Sequence, residues 1–176
     1  APDGLAPSGH APDGLAPDGL ATDGLAPDGP APDDPDLRSA RCVLRDWRAD
    51  DVARVLDIYS RWEVARWLGA EPRAMAGPEE AARLVERCSS LNRSEPLARR
   101  WALERREDGL VLGTIILVPL PDGDGEVEVG WHLHPDAWGH GYASEGARAA
   151  LAWGFAHDLD EVLAVVRPDN VASLAV

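Results

Sequence analysis

Residues 133–146 read LHPDAWGHGYASEG, and the fold turns on them. An apolar strand ends, a loop carrying Gly139 and Gly141 follows, and a helix begins. Successive backbone N–H groups at such a helix start, with no bulky side chains in the way, form a site for an anion such as a pyrophosphate. Three well-known loops do not fit. The dinucleotide fingerprint needs Gly-x-Gly-x-x-Gly, but the next glycine is Gly146, five residues after Gly141. The phosphate loop needs Gly-Lys-Ser/Thr, and the chain contains no Lys. A nucleophile elbow needs Gly two residues before Ser144, where Tyr142 stands, so Ser144 reads as a first-turn residue with a local hydrogen bond.

The flanking elements follow from periodicity. Residues 126–133 (EVEVGWHL) predict a strand with Gly130 inside it, a common mark of a bulge or close backbone approach. The alternation at 100–105 and the apolar run at 110–120 are joined by an Asp-Gly turn, which makes 100–133 a three-strand meander. Residues 40–47 give an earlier short strand. Asp50 then reads as the N-cap of a helix with Val52, Val55, Leu56 and Tyr59 on one face. A short helix at 62–68 ends at Gly69 and Pro72, and Gly77-Pro78-Glu79-Glu80 opens another that runs to about Asn92. Downstream, 141–157 predicts a helix with Ala143, Ala147, Leu151 and Phe155 on one face. Residues 161–167 (EVLAVVR) predict a further strand, and a last helix starts near Asp169. The fold class is α/β, with a mixed, mostly antiparallel sheet flanked by helices.

The composition is uneven. Residues 1–35 are seven copies of a five-residue unit of the type APDGL, rich in turn-forming Pro-Asp-Gly. One Leu per unit buries too little apolar surface to offset the roughly 1–2 kcal/mol per residue lost on ordering backbone, so 1–37 is expected to be disordered and 38–176 to be one domain. A flexible acidic spacer is the functional alternative for the repeat. Of the net charge of −14, residues 1–36 carry −8, so the charge describes the repeat more than any site. The acidic balance argues against nucleic-acid binding, which rests on neutralising phosphates. No run of about 18 apolar residues is present, so no membrane span is expected. Cys42 and Cys88 cannot build a disulfide framework, and a cytoplasmic, reducing compartment is the simpler reading. All 17 basic residues are Arg, which fits the coding bias of a GC-rich genome.

One family pattern does fit the loop. Trp138-Gly139-His140-Gly141-Tyr142-Ala143 resembles the Q/R-x-x-G-x-G/A loop of the GNAT N-acetyltransferases, with Trp in the first position. The resemblance extends to RCVLRDWRADD at 41–51, EVARWLG at 63–69, EVGWHLHPDAWGHGYASEG at 128–146 and RPDNVAS at 167–173, in the order of the RimJ/RimL-type branch. It covers residues 40–176. It implies the GNAT fold, acetyl-CoA as co-substrate, no metal, and direct attack of a primary amine on the thioester. The acceptor implied by the branch is a protein N-terminal α-amino group, with a small amine or aminoglycoside as the alternative. A non-catalytic CoA-binding module or inactive fragment is the alternative outside the enzymes. The family normally continues through two more strands, so the resemblance implies that the domain is truncated after Val176. That would leave 161–167 as an unpaired edge open to a partner, a homodimer included.

Residue roles follow from the same resemblance. The pyrophosphate would lie on the amides of Gly139, His140, Gly141, Tyr142, Ala143 and Ser144, beside Trp138. The pantetheine arm would bond like a strand to Trp131, His132 and Leu133, and an amide near Leu133 would polarise the thioester carbonyl. Asn170 matches the family Asn that touches the cofactor arm. Glu128 is the candidate base, or else a solvated strand carboxylate. Ser173 is the candidate acid, or else a cap of the last helix. Many GNATs place a Tyr seven residues after that Asn, which falls past Val176. His132, His134 and His140 can be imagined as a metal site, but no carboxylate or Cys stands at matching spacing, so ordinary strand and loop histidines are expected. Trp62 and Trp67 read as core residues or as lining of an acceptor pocket.

Overall fold

Apolar-polar alternation sets four strands: β1 (Cys42–Arg45), β2 (Arg99–Arg105), β3 (Val111–Pro119) and β4 (Val127–Leu133). They pair antiparallel in the order β1-β2-β3-β4. The computed structural model describes residues 37–95, 97–121 and 123–176, and the repeat at 1–36 lies outside them. Leu37, assigned to the repeat on composition, is buried in the core and belongs to the folded domain.

Helices cover both faces. α1 (Val52–Tyr59), α2 (Trp62–Ala65) and α3 (Pro78–Ser94) pack Val55, Ile58, Val64, Ala81, Val85 and Cys88 against Ala102 and Val111. The N-terminal cap at α1 is one residue later than expected. Asp51, not Asp50, is buried there and accepts the Arg48 N–H at 2.8 Å, because its carboxylate is also gripped by the Arg45 guanidinium at 2.7 and 2.9 Å.

α4 (Tyr142–Ala156) packs on the opposite face, where Trp153 meets Trp101 edge-on at 5.3 Å. A Cβ on Gly146 would stand 2.9 Å from Ile115, so the helix lies close to the sheet there. Its buried face runs through Gly146, Ala147, Ala149, Ala150, Trp153 and Gly154, and Phe155, expected inside, is 52% exposed. A strict four-residue step drifts about 40° per turn around a 3.6-residue helix, so the row from Ala143 leaves the core by Phe155.

Residues 161–167 do not form the expected strand. Only Leu163 pairs, in parallel, with the Glu128 region of β4. Beyond it the chain leaves the sheet edge, and the Arg167 guanidinium donates to the Gly69 carbonyl at 2.8 Å. A short α5 (Val171–Leu174) follows. Among the described residues no helix is long and apolar enough to cross a membrane.

Candidate active site

β4 turns alternate backbone groups to opposite sides. Val129 N–H donates to the Leu163 carbonyl and Leu163 N–H to the Val127 carbonyl, each at 2.8 Å, so odd-numbered residues face the outer edge. His134 N–H points inward, to the Leu112 carbonyl at 2.8 Å. The same alternation turns the Trp131 N–H and C=O and the Leu133 N–H outward, just where residues 164–167 have left the edge. An extended arm laid there would bond as an added strand does.

The loop after β4 is held at its first position. The Trp138 indole N–H donates to the Leu133 carbonyl at 2.9 Å, although the side chain is 45% exposed. Gly139 and Gly141 take φ of +73° and +77°, which suits glycine and strains a residue with a Cβ. Gly141 caps α4, and the first helical bond runs from Glu145 N–H to the Gly141 carbonyl at 3.0 Å. The N–H groups of Tyr142, Ala143 and Ser144 precede that bond and stand at the positive end of the helix.

Glu145 in the first turn would repel an anion, but it is neutralised. Burial opposes its ionisation, yet hydrogen bonds from Ser39 Oγ (2.6 Å), Arg41 N–H (2.7 Å) and the Arg41 guanidinium (2.8 Å) outweigh it and hold the carboxyl below its usual range. Beside this helix start lies a shallow cavity of about 320 Å³, lined by Ala40, Arg41, Arg105, Arg106, Glu107 and Tyr142.

Glu128 is only 4% exposed and its carboxylate has no hydrogen bond or ion pair among the described residues. Burial alone pushes its pKa up. Its side chain shares the α1 face of β4 with Gly130 and His132. Ser173 lies by Trp131, whose side chain belongs to the opposite, α4 face. The Trp131 indole N–H donates to Ser173 Oγ at 3.3 Å, which leaves the hydroxyl proton free to be given away. Asn170 Oδ1 accepts the Ser173 N–H at 3.3 Å and so starts α5. The strand thus carries the carboxylate on one face and, across its edge, Ser173 and Asn170 on the other.

The three histidines go to separate places. His134 is buried, with Nδ1 accepting the Asp136 N–H at 3.1 Å and Nε2 standing 3.3 Å from Asp57 Oδ2. Burial, reinforced by Arg54 and Arg61, lowers its pKa and keeps it neutral. His132 contacts Tyr59, and His140 stands at the loop near Tyr142. Among the described residues no three His, Cys, Asp or Glu are grouped to hold a metal ion. Trp62 is 55% exposed, and Trp67 packs under the Arg66 guanidinium.

Sequence reasoning missed Tyr59, Thr114 and Asp57. Tyr59 read as an apolar-face residue of α1; the available signal was that a tyrosine on a buried face needs a partner for its hydroxyl.

The model of the acetyltransferase (GNAT) domain family matches residues 41–176. The chain is 32% identical over 140 residues to the uncharacterized N-acetyltransferase YoaA of Bacillus subtilis strain 168, covering 79% of this chain and 77% of that one. Its fold is similar to that of a ribosomal-protein alanine acetyltransferase from Vibrio fischeri, with a TM-score of 0.63 at 19% identity over 78% of this chain and 77% of the other. It is also similar to the microcin self-immunity acetyltransferase MccE, solved with acetyl-CoA and AMP, with a TM-score of 0.64 at 12% identity over 78% and 76% of the two chains.

Proposed function

Because the chain belongs to the GNAT acetyltransferase family and is an N-acetyltransferase by class, we propose that it moves an acetyl group from acetyl-CoA to a protein N-terminal α-amino group. The observation that carries the reading is Glu128, a buried carboxylate with no partner, on the strand whose outer edge lies open at Trp131 and Leu133. Such a group is costly to bury for structure alone, and it suits a base.

The chain's residues divide the reaction by face. Pyrophosphate lies on the amides of Gly139 through Ser144, and the arm of acetyl-CoA bonds along Trp131 and Leu133, with Asn170 beside it. The amine comes from the α1 face. Glu128 takes a proton from the ammonium, directly or through water, and the amine nitrogen attacks the thioester carbon. The oxygen gains charge against the Leu133 N–H. The C–S bond then breaks, and Ser173 passes a proton to the thiolate as its own oxygen takes one back from solvent, while the new amide loses one to solvent. An α-amino group, with a pKa of about 8, is far easier to deprotonate near neutrality than a Lys amine at about 10.4, which favours an N-terminus.

The alanine acetyltransferase of Vibrio fischeri supports a ribosomal-protein type of acceptor, and the 128–146 stretch supports the RimJ/RimL-type branch. The complex of MccE supports acetyl-CoA as the donor. Free, buried Cys42 and Cys88 support a reducing, cytoplasmic setting. The test is acetylation of a peptide with a free N-terminal alanine or serine and one internal Lys, read by fragment mass spectrometry. Acetyl on the α-amino group supports the reading, and acetyl on Lys, or on kanamycin and n-butylamine only, overturns the N-terminal assignment.

A further inference from the structure

One 3-10 turn, Pro135–Ala137, joins β4 to the glycine loop, and its N-terminal cap is a histidine. Pro135 has no N–H, so the Asp136 N–H is the first donor that the turn leaves without a backbone partner. His134 Nδ1 accepts it at 3.1 Å. A backbone N–H can only donate, so Nδ1 presents its lone pair and the proton of the neutral ring sits on Nε2. The backbone completes the turn. His134 N–H reaches the Leu112 carbonyl at 2.8 Å, and the Ala137 and Trp138 N–H groups bond to the His134 and Pro135 carbonyls at 2.9 and 3.0 Å. Trp138 then opens the loop of Gly139 and Gly141.

The buried ring stands among charges of both signs. Asp57 Oδ2 lies 3.3 Å from Nε2, and Asp136 Oδ2 lies 3.6 Å from Nδ1. Arg54 and Arg61 flank it, each ion-paired to Asp57. Burial and the two arginines oppose a positive ring, Asp57 and Asp136 favour one, and the balance keeps it neutral near pH 7. A second proton has one place to go, the lone pair on Nδ1. There it sets a donor against the Asp136 N–H, with the Asp136 carboxylate alongside as the new acceptor. The cap exists only in the neutral ring.

We propose that His134 is a positioning residue for the glycine loop: its neutral ring caps Pro135–Ala137 and holds the loop amides ready for pyrophosphate, and its protonation releases them. The inference rests on the acetyl-transfer reading and adds to it an acid-sensitive control of the donor site. His134 acts through the turn and not by touching acetyl-CoA. An Asn here would supply the same cap, being among the best N-cap residues, and would not titrate.

The experiment measures acetyl-CoA affinity by calorimetry on the full chain, from about pH 7.5 to 5, across the usual imidazole range. Over that range the wild type is expected to lose about fivefold more affinity than His134→Asn, the worth of one cap that binding must otherwise restore. His134→Ala, uncapped at every pH, is expected to start about fivefold weaker and to lack the extra fall. Titration of the ligand's phosphates and of His140 is common to all three proteins, so the difference belongs to position 134. Asp57→Asn removes a carboxylate that favours the charged ring, and the acid fall is expected to move to lower pH. Nitrogen-15 NMR of the wild-type ring is expected to show the proton on Nε2 at neutral pH. A proton on Nδ1, an equal acid fall in wild type and folded His134→Asn, or an unmoved fall in Asp57→Asn overturns the inference while leaving acetyl transfer intact. A wild type that binds no acetyl-CoA at neutral pH overturns the acetyl-transfer reading and the inference with it.

Discussion

The indole of Trp138 donates its N–H to the carbonyl of Leu133, 2.9 Å away across five residues. That bond ties the start of the glycine loop to the last residue of β4. It also occupies the outward carbonyl of Leu133 and leaves the Leu133 N–H as the donor at the open edge. Removing the indole in Trp138→Ala should weaken acetyl-CoA binding by roughly three- to tenfold, the worth of one net hydrogen bond. Calorimetric titration of the variant against the wild type checks this.

Gly141→Ala should cost more than its size suggests. A Cβ at this position would meet Arg41 at 3.6 Å, an ordinary contact, so the penalty comes from holding φ at +77°. That strain is about 1–2 kcal/mol for a residue with a Cβ. It should appear as a lower thermal midpoint or, if the loop relaxes instead, as weaker acetyl-CoA binding. A variant unchanged in both would show that the left-handed turn is not required.

Glu128→Gln should trade activity for stability. Burial raises the carboxyl pKa, so kcat/KM should climb with pH as the carboxylate forms above the usual Glu range. The glutamine variant should lose that ascending limb and fall by about 10²–10⁴-fold. A carboxyl whose folded pKa is raised lowers stability once pH passes its unfolded pKa, about 4.3. The variant should therefore melt higher than the wild type at pH 7, and the gain should vanish below that pKa.

The histidines impose the opposite slope. His132 is pulled to about 4 and His134 is lowered as well, both chiefly by burial. The unfolded chain binds these protons near pH 6.5, so folding stability should be full above that value and fall as pH drops from about 6.5 toward 4. His132→Gln should remove part of the slope and His134→Gln another part, as read by denaturant titrations across pH.

Much of the sheet was legible because its signals are local. The Asp-Gly turn after β2, the alternation of β4 and the glycine loop before α4 each depend on neighbouring residues, and each stands where expected. The errors came from tertiary competition. Residues 161–167 have strand propensity, but only Leu163 finds an edge, and Arg167 beyond it bonds to Gly69 instead of the sheet. Phe155 fitted a four-residue row that drifts off a real helix face. The places of Glu128 on β4 and of the loop amides before α4 were readable from the strand and the glycines. The Tyr59–His132 contact joins residues 73 positions apart, and no local pattern marks such a pair.

In the proposed reaction the open edge of β4 and the carboxylate of Glu128 act together in acetyl transfer to an amine. Thiol release from acetyl-CoA, followed with and without an alanine-starting peptide, tests it most directly. Release is expected to require the peptide and its free N-terminus, and to collapse in Glu128→Gln while acetyl-CoA still binds. Release that ignores the amine, or that survives intact in Glu128→Gln, would contradict it.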